Sequence, residues 1–299
     1  VILRGGTVGT AVDGHFWDYD PKNRSLILSS HRMSNELLPA YVNKIRKYKP
    51  DFFHAYPSSA TILAGWMKEN NIPPFAGLKA VLCGSENFYS WQRELLENVF
   101  QCRIYSWYGH SEQAVLAGEC ECSTMYHIQP EYGVTELIGE GGKASLKEDE
   151  SGEIVATGFN NYLFPFIRYK TNDIGKYSHQ ECGCGRHYSL IKDIEGRVQD
   201  YFVSRQGNLI TFSGYYLTLK VSENIEKFQY YQDRQGCVEL RLVRKEGYSD
   251  NDTNKIRREL NAKYGNNLKF HIKFVDDITR SRSGKYKYLI QKLPVNLDY

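Results

Sequence analysis

No apolar run in the 299 residues approaches 18, so no membrane-spanning helix is expected. The chain opens Val-Ile-Leu-Arg-Gly-Gly with no initiator Met, no charged n-region and no long apolar stretch. No signal peptide is expected there, and the segment reads as a strand cut from something longer. An excess of one charge is lacking too: 38 Lys and Arg stand interspersed with 35 Asp and Glu, a net charge of +3. This excludes a nucleic-acid or membrane-surface protein, in which bases cluster on one face. Cysteines are few and odd in number, seven, and four of them fall in two Cys-x-Cys pairs, which argues against a disulfide framework and for a reducing, cytoplasmic location. What is present, 41% hydrophobic and 14% aromatic residues, suffices for a full core and for more than one domain.

The stretch with most chemistry is Trp107-Tyr-Gly-His-Ser-Glu-Gln113. Phe100-Gln-Cys-Arg-Ile-Tyr-Ser106 before it alternates like a half-buried strand, which puts the stretch at a strand's carboxyl end, where open α/β sheets bind ligands. Tyr108 can lie on a purine, Gly109 lets a ligand approach the backbone, Ser111 can bond a phosphate and Glu112 can hold a magnesium ion. The alternative is a polar strand-to-helix turn with Ser111 as N-cap.

Upstream, Gly5 to Gly9 lacks the following helix that a phosphate loop needs. His15 to Pro21 reads as a turn, Ser25 to Ser30 as a short strand, and Ser34 to Tyr48 as an amphipathic helix capped by Ser34. Two rounds of strand, loop and helix follow: Asp51 to Ser59 with the helix Ala60 to Asn70, then Leu78 to Asn87 with the helix Ser90 to Phe100. That rhythm predicts a parallel sheet. Three loops, His54 to Ser58, Gly84-Ser85-Glu86 and Tyr108 to Glu112, should then emerge on one edge. The second of them also reads as a plain helix-entry turn.

Cys120-Glu-Cys122 with His127, and Cys182-Gly-Cys184 with His187, suit tetrahedral zinc, since thiolate and imidazole are its preferred donors. Cys83, Cys102 and Cys237 sit in apolar strands and read as core. Glu131 to Ile138 and Gly152 to Gly158 read as antiparallel strands joined through a loop at Gly139. After Asp200 come strands near 201–204, 208–211 and 237–243, an acid-capped helix Asp250 to Tyr264, and a strand over 268–275, a small α+β unit.

Five ordered motifs, GSEN at 84–87, YGHSEQ at 108–113, Thr157-Gly-Phe-Asn-Asn with Phe166 to Asp173, Glu195-Gly-Arg197, and Ser283-Gly-Lys285, resemble the adenylate-forming (AMP-binding) superfamily. Within it the chain resembles phenylacetate-CoA ligases and their relatives from capsular polysaccharide synthesis clusters. The resemblance implies an α/β fold: part of a large domain over 1–197, with a mixed parallel sheet, helices and a barrel-like β subdomain, then a small α+β lid over 198–299. It implies an ATP-dependent, AMP-forming ligase that activates an aryl or acyl carboxylate as acyl-adenylate, with coenzyme A as the expected acceptor. The other class open to it is a catalytically idle relative that binds nucleotide or serves in assembly. The implied partners are the carboxylate and the nucleotide, with a homodimer as a further candidate.

Carried over position by position, Gly84, Ser85, Glu86, Tyr108, Gly109 and Ser111 would frame ATP or AMP and Glu112 would ligate magnesium. Asp173 would hold the ribose hydroxyls with Arg197, and Lys285 would bridge carboxylate and α-phosphate. The match also favours Cys120, His127, Cys182 and Cys184 as structural zinc ligands over Cys122 and His187. From the residues alone, Asp173 suits either ribose or an exposed Thr-Asn-Asp turn, and Arg168 and Arg197 suit either a phosphate or an ion pair. Phe53, Tyr56, Tyr89 and Trp107 are candidate acyl-pocket walls. Two departures stand out. The family's Ser/Thr/Gly-rich phosphate loop is not found, so residues 1–299 alone are expected to form little acyl-adenylate, and Gln199 replaces the Asp that many relatives carry at the hinge.

Overall fold

A computed structural model describes residues 1–4, 8, 15–30, 33–139, 142, 144, 147–197, 201–211, 223–280 and 286–293, with the side chains of 196, 197, 209, 211 and 263 left out. The chain divides into two units, one over Val1–Ile194 and one starting at Glu195. No helix among the described residues is long and apolar enough to cross a membrane.

The first unit begins with β1 (Ile2–Leu3), β2 (Trp17–Asp20), β3 (Ser25–Leu28), α1 (Leu38–Tyr48), β4 (Phe52–Ala55), α2 (Pro57–Glu69), β5 (Ala80–Gly84), α3 (Ser90–Phe100) and β6 (Arg103–Gly109). It continues with β7 (Leu116–Gly118), β8 (Tyr126–Ile128), β9 (Gly133–Ile138), β10 (Ser151–Gly158), β11 (Tyr169–Ser178) and β12 (Leu190–Arg197). All twelve strands form one sheet in the order β2-β3-β1-β4-β5-β6-β7-β8-β12-β11-β10-β9. From β3 to β6 the pairing is parallel. The strands of the expected barrel-like part, β7 to β12, continue the same hydrogen-bonded sheet.

Alternation in the parallel strands sends Leu3, Phe53, Ala55, Val81, Cys83 and Ile104 into one core, where they meet Tyr41, Val42, Ile45, Leu63, Met67, Leu95 and Leu96 of the helices. The helical set recurs three and four residues apart, as a face packed on a sheet must. A second core gathers Ala114, Val115, Ala117, Tyr126, Ile128, Leu137, Ile154 and Ile191 under the antiparallel half.

Four local expectations are corrected. α1 starts at Leu38 rather than Ser34, whose carbonyl instead accepts from the N–H groups of Leu37 and Leu38 in a preceding turn. Pro39, which lacks an N–H, is tolerated only in the first helical turn and so fixes where the helix begins. α2 starts earlier than Ala60, with Pro57 in its first turn for the same reason. Trp17–Asp20 is a strand paired antiparallel to β3, not a turn, because its backbone finds a hairpin partner. Of the three cysteines read as core, only Cys83 is buried; Cys102 lies just before β6 and Cys237 opens a strand beside a turn, where burial is partial.

The second unit pairs β13 (Tyr201–Val203) with β14 (Leu209–Thr211). Beside them is a four-stranded sheet of β15 (Ile225–Arg234), β16 (Cys237–Arg244), β17 (Lys269–Phe274) and β18 (Leu289–Gln291), in the order β17-β16-β15-β18. The helix α4 (Asp250–Tyr264) begins where Asp252 accepts from the backbone N–H of Ser249 at 2.9 Å. Phe202, Tyr230, Leu240, Leu242, Ile256 and Leu260 are buried.

Candidate active site and thiol cluster

Because β4, β5 and β6 are adjacent and parallel, the three loops that follow them emerge on one edge, as their spacing predicts. The loop after β6 does not enter a helix. It returns antiparallel as β7, so Ser111 and Glu112 occupy a strand-to-strand turn and Ser111 is no N-cap. Glu112 is 37% exposed, leaving a face of its carboxylate toward solvent. One of its oxygens accepts from Tyr169 Oη at 3.1 Å and the other lies 3.2 Å from His110 Nδ1. Such a carboxylate is positioned before any ligand arrives.

Asp173 is not in an exposed turn. It lies within β11, 7% exposed, and accepts a 2.7 Å hydrogen bond from Tyr108 Oη. The cause is a bulge: Lys170 pairs with Val155 and Ile174 with Glu153, so three residues of β11 face one of β10. Asn172 within it takes φ 60. A bulge re-aims side chains beside it, and this one turns Asp173 toward the loop of β6. Arg168 is an exposed ion-pair residue, bonded through two guanidinium nitrogens to Glu136 at 3.0 and 3.3 Å. The Arg197 side chain, Gly5, Gly6, Thr7, Gly9, Gln199 and Lys285 lie outside the described residues.

In the β5 loop, Glu86 accepts from the backbone N–H and the hydroxyl of Ser58, at 2.9 and 3.0 Å. Its carboxylate thus caps the N-terminus of α2, where the helix dipole favours negative charge. Gly84 is needed for a different reason: a Cβ there would lie 2.5 Å from the Trp107 ring. Ser85 takes φ 68, and its hydroxyl accepts from Arg4 Nη2 at 3.0 Å. Arg4 also donates through Nη1 to His54 Nε2 at 2.7 Å, and its Cζ stands 5.6 Å from the rings of both Tyr56 and Trp107. Sequence reasoning did not single out Arg4 or Tyr169. Of the candidate pocket walls, Phe53 is fully buried in the helix-side core and is excluded.

The cysteines converge elsewhere in the same unit. Cys120 follows β7, His127 is in β8, and Cys182 and Cys184 lie between β11 and β12. Their donor atoms all lie within 4.8 Å of one another. Cys120 Sγ is 3.5 Å from Cys182 Sγ, and Cys184 Sγ is 3.3 Å from His127 Nε2. A disulfide is ruled out at that separation. A tetrahedral ion with bonds of about 2.3 Å to sulfur and about 2.0 Å to nitrogen would set those two edges at roughly 3.8 and 3.5 Å, so the donor set fits zinc closely. His127 Nδ1 has no hydrogen-bond partner among the described residues. The Arg186 backbone N–H, with lesser hydrogen bonds, holds the Cys184 thiol down to about 6, while at Cys182 the lowering by the Cys184 backbone N–H is outweighed by desolvation and the Cys120 and Cys184 sulfurs, which push it up to about 11. Cys122 and His187 are exposed and outside the set; the Cys122 backbone N–H instead donates to Cys120 Sγ at 3.3 Å.

A family profile described as "CapK C-terminal domain" matches residues 202–292. Protein CapK of Staphylococcus aureus is 25% identical over 281 residues, covering 93% of this chain and 61% of CapK. A phenylacetate-coenzyme A ligase of Thermus thermophilus is 23% identical over 211 residues, covering 69% of this chain and 47% of the ligase. The chain therefore spans about half to six tenths of the length of these relatives. Among solved structures, a 2-hydroxyisobutyryl-CoA ligase in the postadenylation state, in complex with R3-HIB-AMP, superposes with a TM-score of 0.69 at 19% identity, covering 89% of this chain and 60% of that one. That likeness establishes the fold, a large mixed sheet with a small C-terminal domain. The homologues found are thus CapK and phenylacetate-coenzyme A ligases, the relatives to which the ordered motifs of this chain are similar.

Proposed function

We propose that this chain forms part of an AMP-forming ligase, in which a carboxylate attacks the α-phosphate of ATP to give an acyl-adenylate for transfer to coenzyme A or another acceptor. The observation that carries the reading is the pair of preset carboxylates at the carboxyl edge, Asp173 on Tyr108 and Glu112 on Tyr169. In this reading Gly84 and Ser85, through their backbone, frame the nucleotide with Tyr108, Gly109 and Ser111, while the Ser85 hydroxyl stays on Arg4. Asp173 takes the ribose hydroxyls with Arg197, a role carboxylates fill by accepting two donors at once. Glu86 acts indirectly by holding α2 against the β5 loop. Glu112 would hold a magnesium ion, whose chemistry is to neutralise phosphate charge as pyrophosphate departs. Lys285 bridges the carboxylate and α-phosphate oxygens. Residues 198–299 serve as the lid, swinging near Gln199. Cys120, His127, Cys182 and Cys184 hold a closed structural zinc, away from the chemistry.

The test is ATP-dependent pyrophosphate release over a panel of aryl and acyl carboxylates, run on residues 1–299 and on a longer chain carrying a phosphate loop. Acid-dependent release by the longer chain is expected. Tight AMP binding with no release from either would favour the idle, nucleotide-binding relative. Binding of neither ATP nor AMP would sink both readings.

A further inference from the structure

Arg4 is a half-buried cation with no opposite charge beside it among the described residues. It donates to His54 and Ser85, and no described carboxylate lies within 4 Å of it. A guanidinium only donates, so His54 Nε2 must be the unprotonated acceptor and the imidazole is neutral. The acid nearest in sequence to Ser85 is Glu86, and both its oxygens are engaged by Ser58. The Tyr56 and Trp107 rings each lie 5.6 Å from the guanidinium carbon. Removing a cation from water without an opposite charge is costly, and four separate elements, β1, β4, the β5 loop and β6, cooperate to hold this one in place.

Its position indicates what would bring the missing charge. Successive side chains of a strand face opposite sides of the sheet, so Trp107, beside Arg4, and Tyr108, bonded to Asp173, lie on different faces of β6. An adenylate seated on Tyr108 and Asp173 at the strand ends would therefore direct its acyl part, not its base, toward Trp107 and Arg4.

We infer that Arg4 is a specificity-determining residue, held by His54 and Ser85 to receive an anionic group at the far end of the carboxylic acid that is activated. This rests on the adenylate reading above. It makes the preferred substrate a dicarboxylic acid, or one bearing another oxyanion, rather than a simple aliphatic acid.

The experiment is calorimetric titration of the chain with AMP, with butyryl sulfamoyl adenosine and with succinyl sulfamoyl adenosine, non-reactive mimics with acyl parts of equal carbon count. Binding of the succinyl compound is expected to be about tenfold tighter or more, the scale of a charge-assisted hydrogen bond. Arg4→Met should abolish that preference and leave AMP binding unchanged, while Arg4→Lys, which keeps the charge and loses the fork, should retain part of it. Equal binding of the two mimics by the wild-type chain overturns the inference and leaves the adenylate reading intact. So does an Arg4→Met variant, folded by circular dichroism, that keeps the preference. Loss of AMP affinity itself in Arg4→Met would assign Arg4 to a nucleotide phosphate, again overturning it. If neither mimic nor AMP binds, the adenylate reading fails and the inference fails with it.

Discussion

The carboxyl edge of the parallel strands and the thiol cluster beyond β7 are assembled on opposite principles. At the edge, each carboxylate is held by the protein: Asp173 by Tyr108, Glu112 by Tyr169, Glu86 by Ser58. Hydrogen bonds of this kind form whether or not a ligand is present, and the edge is preorganised. At the cluster, three sulfurs and an imidazole nitrogen face one another within 4.8 Å. Three thiolates so close would repel one another, and a cation between them would offset that repulsion. A ligand would only fill the first site; the proposed zinc would complete the second.

The comparison breaks most decisively at the metal. Purified protein should carry about one zinc per chain. Because binding free energy at a structural site is folding free energy, chelation or Cys182→Ser should lower the melting temperature by about 10 °C or more. A metal-free protein with an unchanged melting curve would refute the ion. Ser111→Ala, at the edge, should shift the melting curve by no more than about a degree or two.

Next in size is Lys285→Ala in a catalytically competent longer chain. Attack of a carboxylate on an α-phosphate brings two anions together, and a cation between them stabilises the transition state more than the ground state. Adenylation should slow by on the order of 100-fold, while in the proposed reading thiol capture of a supplied acyl-adenylate does not use Lys285 and should stay largely intact. Equal losses in both half-reactions, or none in either, would reduce Lys285 to a solvated lysine.

A smaller effect tests how tightly the edge is packed. Gly84→Ala places a Cβ where the Trp107 ring now lies. Overpacking of this kind costs about 1–3 kcal/mol, and displacement of the indole should be visible in its fluorescence. An unchanged denaturation midpoint and spectrum would show that the ring moves freely and that Gly84 is present for another reason.

The sequence was most informative where a pattern is local. The β-α-β rhythm over residues 51–109 placed three loops on one edge, and Cys-x-Cys spacing located the thiol donors, because both depend on neighbours a few residues apart. Between ribose and an exposed turn the residues around Asp173 could not decide, because a bulge is a mismatch between two strands and leaves no trace in either alone. β15 was missed since Ile-Glu-Lys-Phe-Gln-Tyr-Tyr-Gln-Asp-Arg looks half polar. Its Gln232 is nevertheless buried, held by both the N–H and the carbonyl of Val203 at 2.8 Å. Arg4 was invisible for the same reason on a larger scale: His54 and Ser85 are 50 and 81 residues away from it.

The smallest expected effect lies at that long-range group, in the titration of His54. Burial first, and then the Arg4 cation, hold the His54 imidazole down to about 4 from its ordinary 6.5. A histidine with a depressed folded pKa binds more protons unfolded than folded, so its stabilising contribution is present above 6.5 and is lost as pH falls toward 4. The denaturation midpoint of the wild-type chain should therefore drop between about pH 7 and 5 by more than that of His54→Gln, which has no such proton to take up. In Arg4→Met the second cause disappears and the first remains. His54 should then titrate above 4 but still below 6.5, followed through its ring carbon resonances by NMR. A value unchanged by the substitution would mean that burial alone sets it, and that the guanidinium's charge is already neutralised by something other than a ligand.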